Sequence, residues 1–154
     1  MILGIDPGAS GAIALFDYTQ GTLEIFDMPT VMVKRGNKEK KEISPQALAS
    51  LLRNPAVNHA TIEKVGAMPG QGTSSMFQFG RSVGMVEGTL AALSIPVTYV
   101  TPQAWRKALN VREGKDGSRA RACELFPQYA HLFARVKDDG RAEAALIAYY
   151  GAIK

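Results

Sequence analysis

The stretch "ILGIDPGASGAIALFDY", Ile2 to Tyr18, holds two apolar runs around a Pro-Gly turn, and its reading decides the fold. "ILGID" has the length and composition of a buried strand and ends in a carboxylate, Asp6. "PGASG" is the turn, after which "AIALFDY" resumes the strand pattern. "TLEIFDM", Thr22 to Met28, supplies a third strand beyond "TQG", so the chain opens as a meander.

Working outward, residues 30–43 are the most polar stretch and are expected as an exposed loop or hairpin. Ser44 followed by Pro45 is a helix start, with serine as the cap and proline at the first helical position; Asn54-Pro55 must stop that helix. "HATIEKV", His59 to Val65, is a buried strand with Glu63 near its end. Residues 66–75, "GAMPGQGTSS", hold four glycines and prolines and are predicted as a loop, followed by a long helix over Ser75–Leu93. Gly80, Gly84 and Gly88 recur at four-residue spacing on one face of that helix, a packing or subunit face that another element can approach closely.

"IPVTYV", Ile95 to Val100, is the fifth strand of the sheet. Thr101-Pro102 caps a helix reaching Leu109, "VREGKDGS" is a mobile basic loop, and two helices follow over Ser118–Phe126 and Asp138–Ala152. Strands that alternate with helices after an opening meander predict an α/β fold with a mixed sheet, antiparallel in the meander and parallel across the helical connections. Ligand sites in such sheets favour the carboxyl ends of strands, where Asp6 and Glu63 both fall.

The 154 residues suit one domain, expected over 1–154, with enough chain for a real core. No run approaches the roughly 20 apolar residues of a membrane span, and the first residues lack a basic region followed by a cleavable apolar run, so no membrane association and a cytoplasmic location are the expectations. Cys123 is the only cysteine, which excludes an internal disulfide and a thiolate metal cluster within one chain. The net charge of +4 suits a polyanionic partner, and its distribution is more telling. Lys34, Arg35, Lys38, Lys40 and Lys41 crowd a solvated run within reach of phosphates, and nine further Lys and Arg lie between Arg106 and Arg141. Asp6, Glu63 and Glu143 stand instead in apolar surroundings, which implies an acidic pocket inside a basic surface.

Asp139 and Glu143 are four residues apart, so at about 100° per residue both lie on one helix face, with Asp138 pointing elsewhere. Singly, Asp6 is a turn residue and the helical pair a capping arrangement; Glu63 within "ATIEKV" needs a partner because an ionised glutamate in a central strand must be paired. Four converging carboxylates repel one another and stay ionised only around a cation. Oxygen-only ligands select Mg²⁺, with Mn²⁺ as a substitute, and two such ions suit phosphodiester hydrolysis without a nucleophilic side chain. His59 and His131 are expected as ordinary surface or strand-end residues, and Trp105 as a core anchor.

"GIDPGASGAIAL", "TIEKV" and "DDGRAEAALIA", in this order and spacing, resemble the three acidic motifs of the RuvC-type Holliday junction resolvases, within the RNase H-like superfamily. The likeness covers nearly the whole chain, and its short form and "GRAEA" wording are similar to phage or prophage versions. The resemblance implies a three-layer RNase H-like fold, with a mixed five-stranded sheet flanked by helices, and a homodimer that nicks a four-way DNA junction symmetrically. It assigns Asp6, Glu63, Asp139 and Glu143 as catalytic metal ligands, leaving the choice between Asp138 and Asp139 to helical phase, which favours Asp139. It places Arg106, Lys107, Lys115 and Arg119 against the DNA backbone and gives Gly80, Gly84 and Gly88 a dimer contact. Relatives often carry an aromatic wedge just after the second acidic residue; this chain has Gly66, Ala67 and Met68 there, so junction opening is expected either to use Met68, Phe77 or Phe79 or to be weaker.

Two other functions compete. "GIDPGASG" is similar to the phosphate loop of the actin-like ATPase fold, a phosphotransferase class that needs a second nucleotide-binding domain for which 154 residues leave no room. The other is a catalytically weak junction-binding protein, which the intact acidic set disfavours.

Overall fold

The opening meander forms one half of a five-stranded sheet. In the computed structural model, which describes residues 1–66, 70 and 72–154, β1 (Ile2–Asp6), β2 (Ala12–Asp17) and β3 (Thr22–Asp27) pair antiparallel in sequence order. On the other side of β1 lie β6 (His59–Glu63) and β7 (Val97–Val100), both parallel, giving the order β3-β2-β1-β6-β7. The predicted mixed sheet is thus present, with β1 at its centre because its apolar run is buried on both faces. Residues 30–43 form the hairpin alternative, β4 (Thr30–Arg35) and β5 (Lys38–Ile43), as a separate two-stranded ribbon.

Helices cover both faces. Leu3, Ile5, Ile13 and Leu15 face Leu48 and Leu52 of α1 (Pro45–Leu52) and Val86 and Leu90 of α2 (Thr73–Ala92). On the opposite face Ala12, Ala14 and Phe16 meet α5 (Asp139–Ile153), supported by Trp105 of α3 (Pro102–Ala108) and Ala122 of α4 (Gly117–Leu125). The result is helix on sheet on helix. α5 presses directly on β1: a methyl group at Gly4 would collide with the main chain of Ala144 and Ala148. That contact accounts for the buried alanines at 142, 144, 145 and 148, since larger side chains would hold the helix off the strand.

Several boundaries differ from the sequence reading. α2 begins at Thr73, β6 ends at Glu63 and β7 begins at Val97. The expected loop 111–118 loses its last two residues to the first turn of α4, where Gly117 and Ser118 are buried. A 3₁₀ segment at Pro127–Phe133 was not anticipated. Asp138 belongs to a short 3₁₀ turn, Val136–Asp138, and α5 proper starts at Asp139. The hairpin is tied to α2 through Glu42, whose carboxylate accepts from Arg35 on β4 and Arg81 on α2 at 2.6 and 3.0 Å. Among the described residues no helix is long and apolar enough to cross a membrane.

Candidate active site

Register places the first two acids. Ile5 stands opposite Ile62 in the parallel pair, so Asp6 and Glu63 finish neighbouring strands side by side at the carboxyl edge of the sheet. The start of α5 closes over Asp6: a Cβ on Gly140 would lie 3.1 Å from Asp6 Oδ2, and one on Gly11 would lie 2.9 Å from the Asp6 carboxyl carbon. Two glycines therefore cradle this carboxyl, and the helix that follows delivers Glu143 to the same corner.

The electrostatics show the proximity. Asp6 is pushed up to about 7, first by burial and then by the charges of Glu143 and Glu63, against one stabilising backbone N–H from Gly8. Glu143 is raised as well, by burial foremost; Arg106 and Ser118 oppose that shift, while Glu63 and Asp139 add to it. Asp6 and Glu143 thus share a poorly hydrated corner with Glu63, where burial and the neighbouring negative charges disfavour their ionisation.

Each carboxylate also has its own donor. Trp105, wholly buried, donates its indole N–H to Glu63 Oε1 at 2.8 Å. Glu143 Oε1 accepts from Arg106 Nη2 and, at 3.1 Å, from the Ser118 hydroxyl. The Arg106 guanidinium lies 4.8 Å from the centre of the Trp105 ring, so consecutive residues of α3 hold two of the three acids. Trp105 is more than the core anchor expected of it. The available sequence signal was the rule that a buried indole N–H finds an acceptor. Ser118, missed inside the supposed mobile loop, left no signal.

The four carboxylates do not stand as a closed cage. Among the described residues no three Asp, Glu, His or Cys side chains are gathered closely enough to form a ready cation cage. The reason lies in the donors: Glu63 is turned to Trp105, Glu143 to Arg106 and Ser118, and half-exposed Asp139 to Arg119 Nε at 2.8 Å. Asp138 points away, but from the 3₁₀ turn that precedes α5 and towards Arg135. It is 2% exposed and held below the usual carboxylate range, chiefly by the Arg135 guanidinium, whose backbone N–H it also accepts. The chemistry of the donor set still fits a hard divalent cation: oxygens only, in a corner where three acids are coupled and one is forced towards protonation.

The basic candidates divide. Arg106 and Arg119 are engaged in ion pairs with Glu143 and Asp139, and Arg119 also meets Asp116. Lys107 and Lys115 are exposed, with no carboxylate partner among the described residues. Phe77 is 66% exposed near the start of α2. Phe79 is partly buried and lines a groove of about 530 Å³ with Glu63, Gly66 and Pro102. Met68 lies outside the described residues. Gly80, Gly84 and Gly88 face open space, with nothing within 4 Å of a Cβ built on any of them. His59 pairs with Thr98 across the parallel strands and His131 is exposed, away from the acids.

No family model and no curated protein sequence matches the chain. Solved structures do. A Thermus thermophilus RuvC structure aligns with 99% of this chain and 95% of its own, at a TM-score of 0.55 and 14% identity. T. thermophilus RuvC in complex with Holliday junction substrate aligns with 99% and 94%, at a TM-score of 0.60 and the same 14% identity. In fold, therefore, the chain is similar to RuvC over its whole length: an RNase H-like α/β arrangement of a mixed five-stranded sheet between helices.

Proposed function

We propose that this chain is a structure-selective endonuclease that resolves four-way DNA junctions by symmetric, Mg²⁺-dependent phosphodiester hydrolysis. The observation that carries the reading is the coupling of Asp6, Glu63 and Glu143 at the carboxyl edge of a RuvC-like sheet. One of the neighbours in fold is a RuvC bound to a Holliday junction. The phage- or prophage-like form rests on the "GRAEA" wording and the short chain.

Asp6, Glu63 and Glu143 would hold Mg²⁺, or Mn²⁺ in its place, with Asp139 completing the set for a second ion. When bound, such ions activate a water molecule and stabilise the departing oxygen. Trp105 keeps one Glu63 oxygen fixed, which leaves the other to turn towards the corner. Arg106 neutralises Glu143 from the rim, where a phosphate can compete for the guanidinium. Lys107 and Lys115 offer charge to the DNA backbone beside it, and phosphate contacts supply most of the affinity while junction shape supplies selectivity. Of the candidate wedges among the described residues, Phe77 is the more exposed.

A homodimer completes the reading. Glycines 80, 84 and 88 let a second α2 approach closely, and a two-fold pair of sites matches a two-fold junction. The cytoplasm, as a DNA-containing compartment, is the proposed location.

The test is a synthetic four-way junction with Mg²⁺ or EDTA. Glu63→Gln should abolish nicking and leave binding within a few-fold of wild type; nicking at wild-type rate would remove the carboxylate site. A second reading, junction binding with weak catalysis, is favoured by the donor set that keeps the acids from closing into a cage. Tight binding by the wild type without metal-dependent nicking would select it.

A further inference from the structure

A groove of about 560 Å³ opens on the β2–β3 flank of Asp6, away from α3 and its Trp105 and Arg106. Its floor is the Ser10–Gly11 turn beside Asp6, and its walls come from Met28, the hairpin and the start of α5. Four cations line it, Lys41, Arg135, Lys137 and Arg141, against two carboxylates, Asp27 and Asp138. Both carboxylates are held below their usual range by arginine hydrogen bonds, so they stay ionised and occupied at neutral pH.

The two arginines are fixed. Arg135 spends Nε and Nη2 on Asp138, and Arg141 spends the same atoms on Asp27 at 2.6 and 2.7 Å. A guanidinium has five N–H donors in a rigid fork, so each keeps donors free on a side chain that has already lost its rotamer freedom. Lys41 and Lys137 are exposed and have no carboxylate partner among the described residues, so they supply the uncompensated charge. Immobile N–H donors beside unpaired ammonium groups suit a phosphodiester backbone better than a neutral or acidic ligand.

We infer that this groove receives the sugar-phosphate backbone of the DNA strand on the β2–β3 side of the cleavage corner, as a counterpart to Lys107 and Lys115 on the α3 side. The inference rests on the nuclease reading and extends it: a strand crossing Asp6 would then be held on both flanks, with Gly11 as the point where groove and corner meet.

The experiment is fluorescence anisotropy of a labelled four-way junction in EDTA, between about 50 and 200 mM salt, comparing wild type with the double variant Lys41→Gln, Lys137→Gln. Loss of two phosphate contacts per protomer, four in a dimer on one junction, should make the slope of log affinity against log salt shallower by about four and weaken binding at low salt by about tenfold or more. Equal melting temperatures for the two proteins confirm that the loss is local. A double variant with unchanged slope and affinity overturns the groove alone where wild type binds in EDTA and nicks the same junction once Mg²⁺ is added. Wild type that neither binds in EDTA nor nicks on addition of Mg²⁺ overturns the groove together with the nuclease reading.

Discussion

The indole N–H of Trp105 donates to Oε1 of Glu63 at 2.8 Å, joining residues 42 apart in the chain. The donor sits on α3 and the acceptor at the end of β6, so the bond ties a helix to the strand end that carries the second acid. Trp105→Phe keeps the packed ring and removes the donor. Glu63 is only partly buried, so water can take up part of the lost bond, but loss of a residue that orients a metal ligand typically costs about 10–100-fold in metal affinity or activity. The half-saturating Mg²⁺ concentration for junction nicking should therefore rise by about tenfold or more. An unchanged Mg²⁺ dependence in a folded variant would show that Glu63 needs no such anchor.

The raised Asp6 sets a pH dependence. Its folded value of about 7 lies above the ordinary 3.8, so the folded protein binds the proton more tightly than the unfolded chain. The corresponding stability is fully present below about pH 4 and is lost as pH rises towards 7. Glu143 is shifted in the same direction. In EDTA the melting temperature should fall between pH 5 and 8, and Asp6→Asn should flatten that fall and melt higher than wild type at pH 8. The carboxylates with lowered values, Asp138 and Asp27 among them, lose their contribution only under more acidic conditions and do not obscure this window. A wild-type melting temperature that is flat from pH 5 to 8 would contradict the account.

Gly140→Ala tests the cradle. The new methyl would stand 3.0 Å from the Ser10 carbonyl oxygen and 3.1 Å from Asp6 Oδ2, so either the loop or the carboxyl must move. Overpacking of this kind costs about 1–3 kcal/mol, part of which the better helix propensity of alanine offsets. Nicking should drop by more than tenfold while the melting temperature changes by only a few degrees. Full activity would mean that the position of Asp6 is not set by this contact.

Gly84→Leu separates fold from assembly. Its Cβ meets nothing within 4 Å, and leucine is the better helix former, so a monomer gains stability by up to about 1 kcal/mol. The same side chain would hold apart two copies of α2 meeting at this face. Light scattering should give a dimer for wild type and a monomer for the variant, with the variant nicking only one strand of the junction or none. A variant that remains dimeric would place the contact elsewhere.

Much of this arrangement was legible in the chain. Apolar runs that end in Asp6 and Glu63 announce strands with an acid at the carboxyl end, and alternation with capped helices places those strands in one sheet. The shared face of Asp139 and Glu143 follows from helical phase, whereas Asp138 turns away because it sits in the 3₁₀ turn before α5 and is held by Arg135. The donors that face the acids were not legible. Arg119 reaches Asp139 across 20 positions, and Arg106 reaches Glu143 across 37, so no local pattern links them. The 3₁₀ segment at Pro127–Phe133 escaped because seven residues with mixed apolar spacing carry no distinct period.

Gly4 gives the molecule a further property. Because the main chain of α5 rests on the main chain of β1 there, the offset between Asp6 and Glu143 is referenced to peptide against peptide, with no interlayer of side chains. Volume changes elsewhere in either hydrophobic layer can accumulate without altering that offset, whereas any side chain at position 4 lifts the helix and separates the two acids in one step. Divergence of the surrounding sequence is then compatible with an invariant distance at the corner where the chemistry would take place.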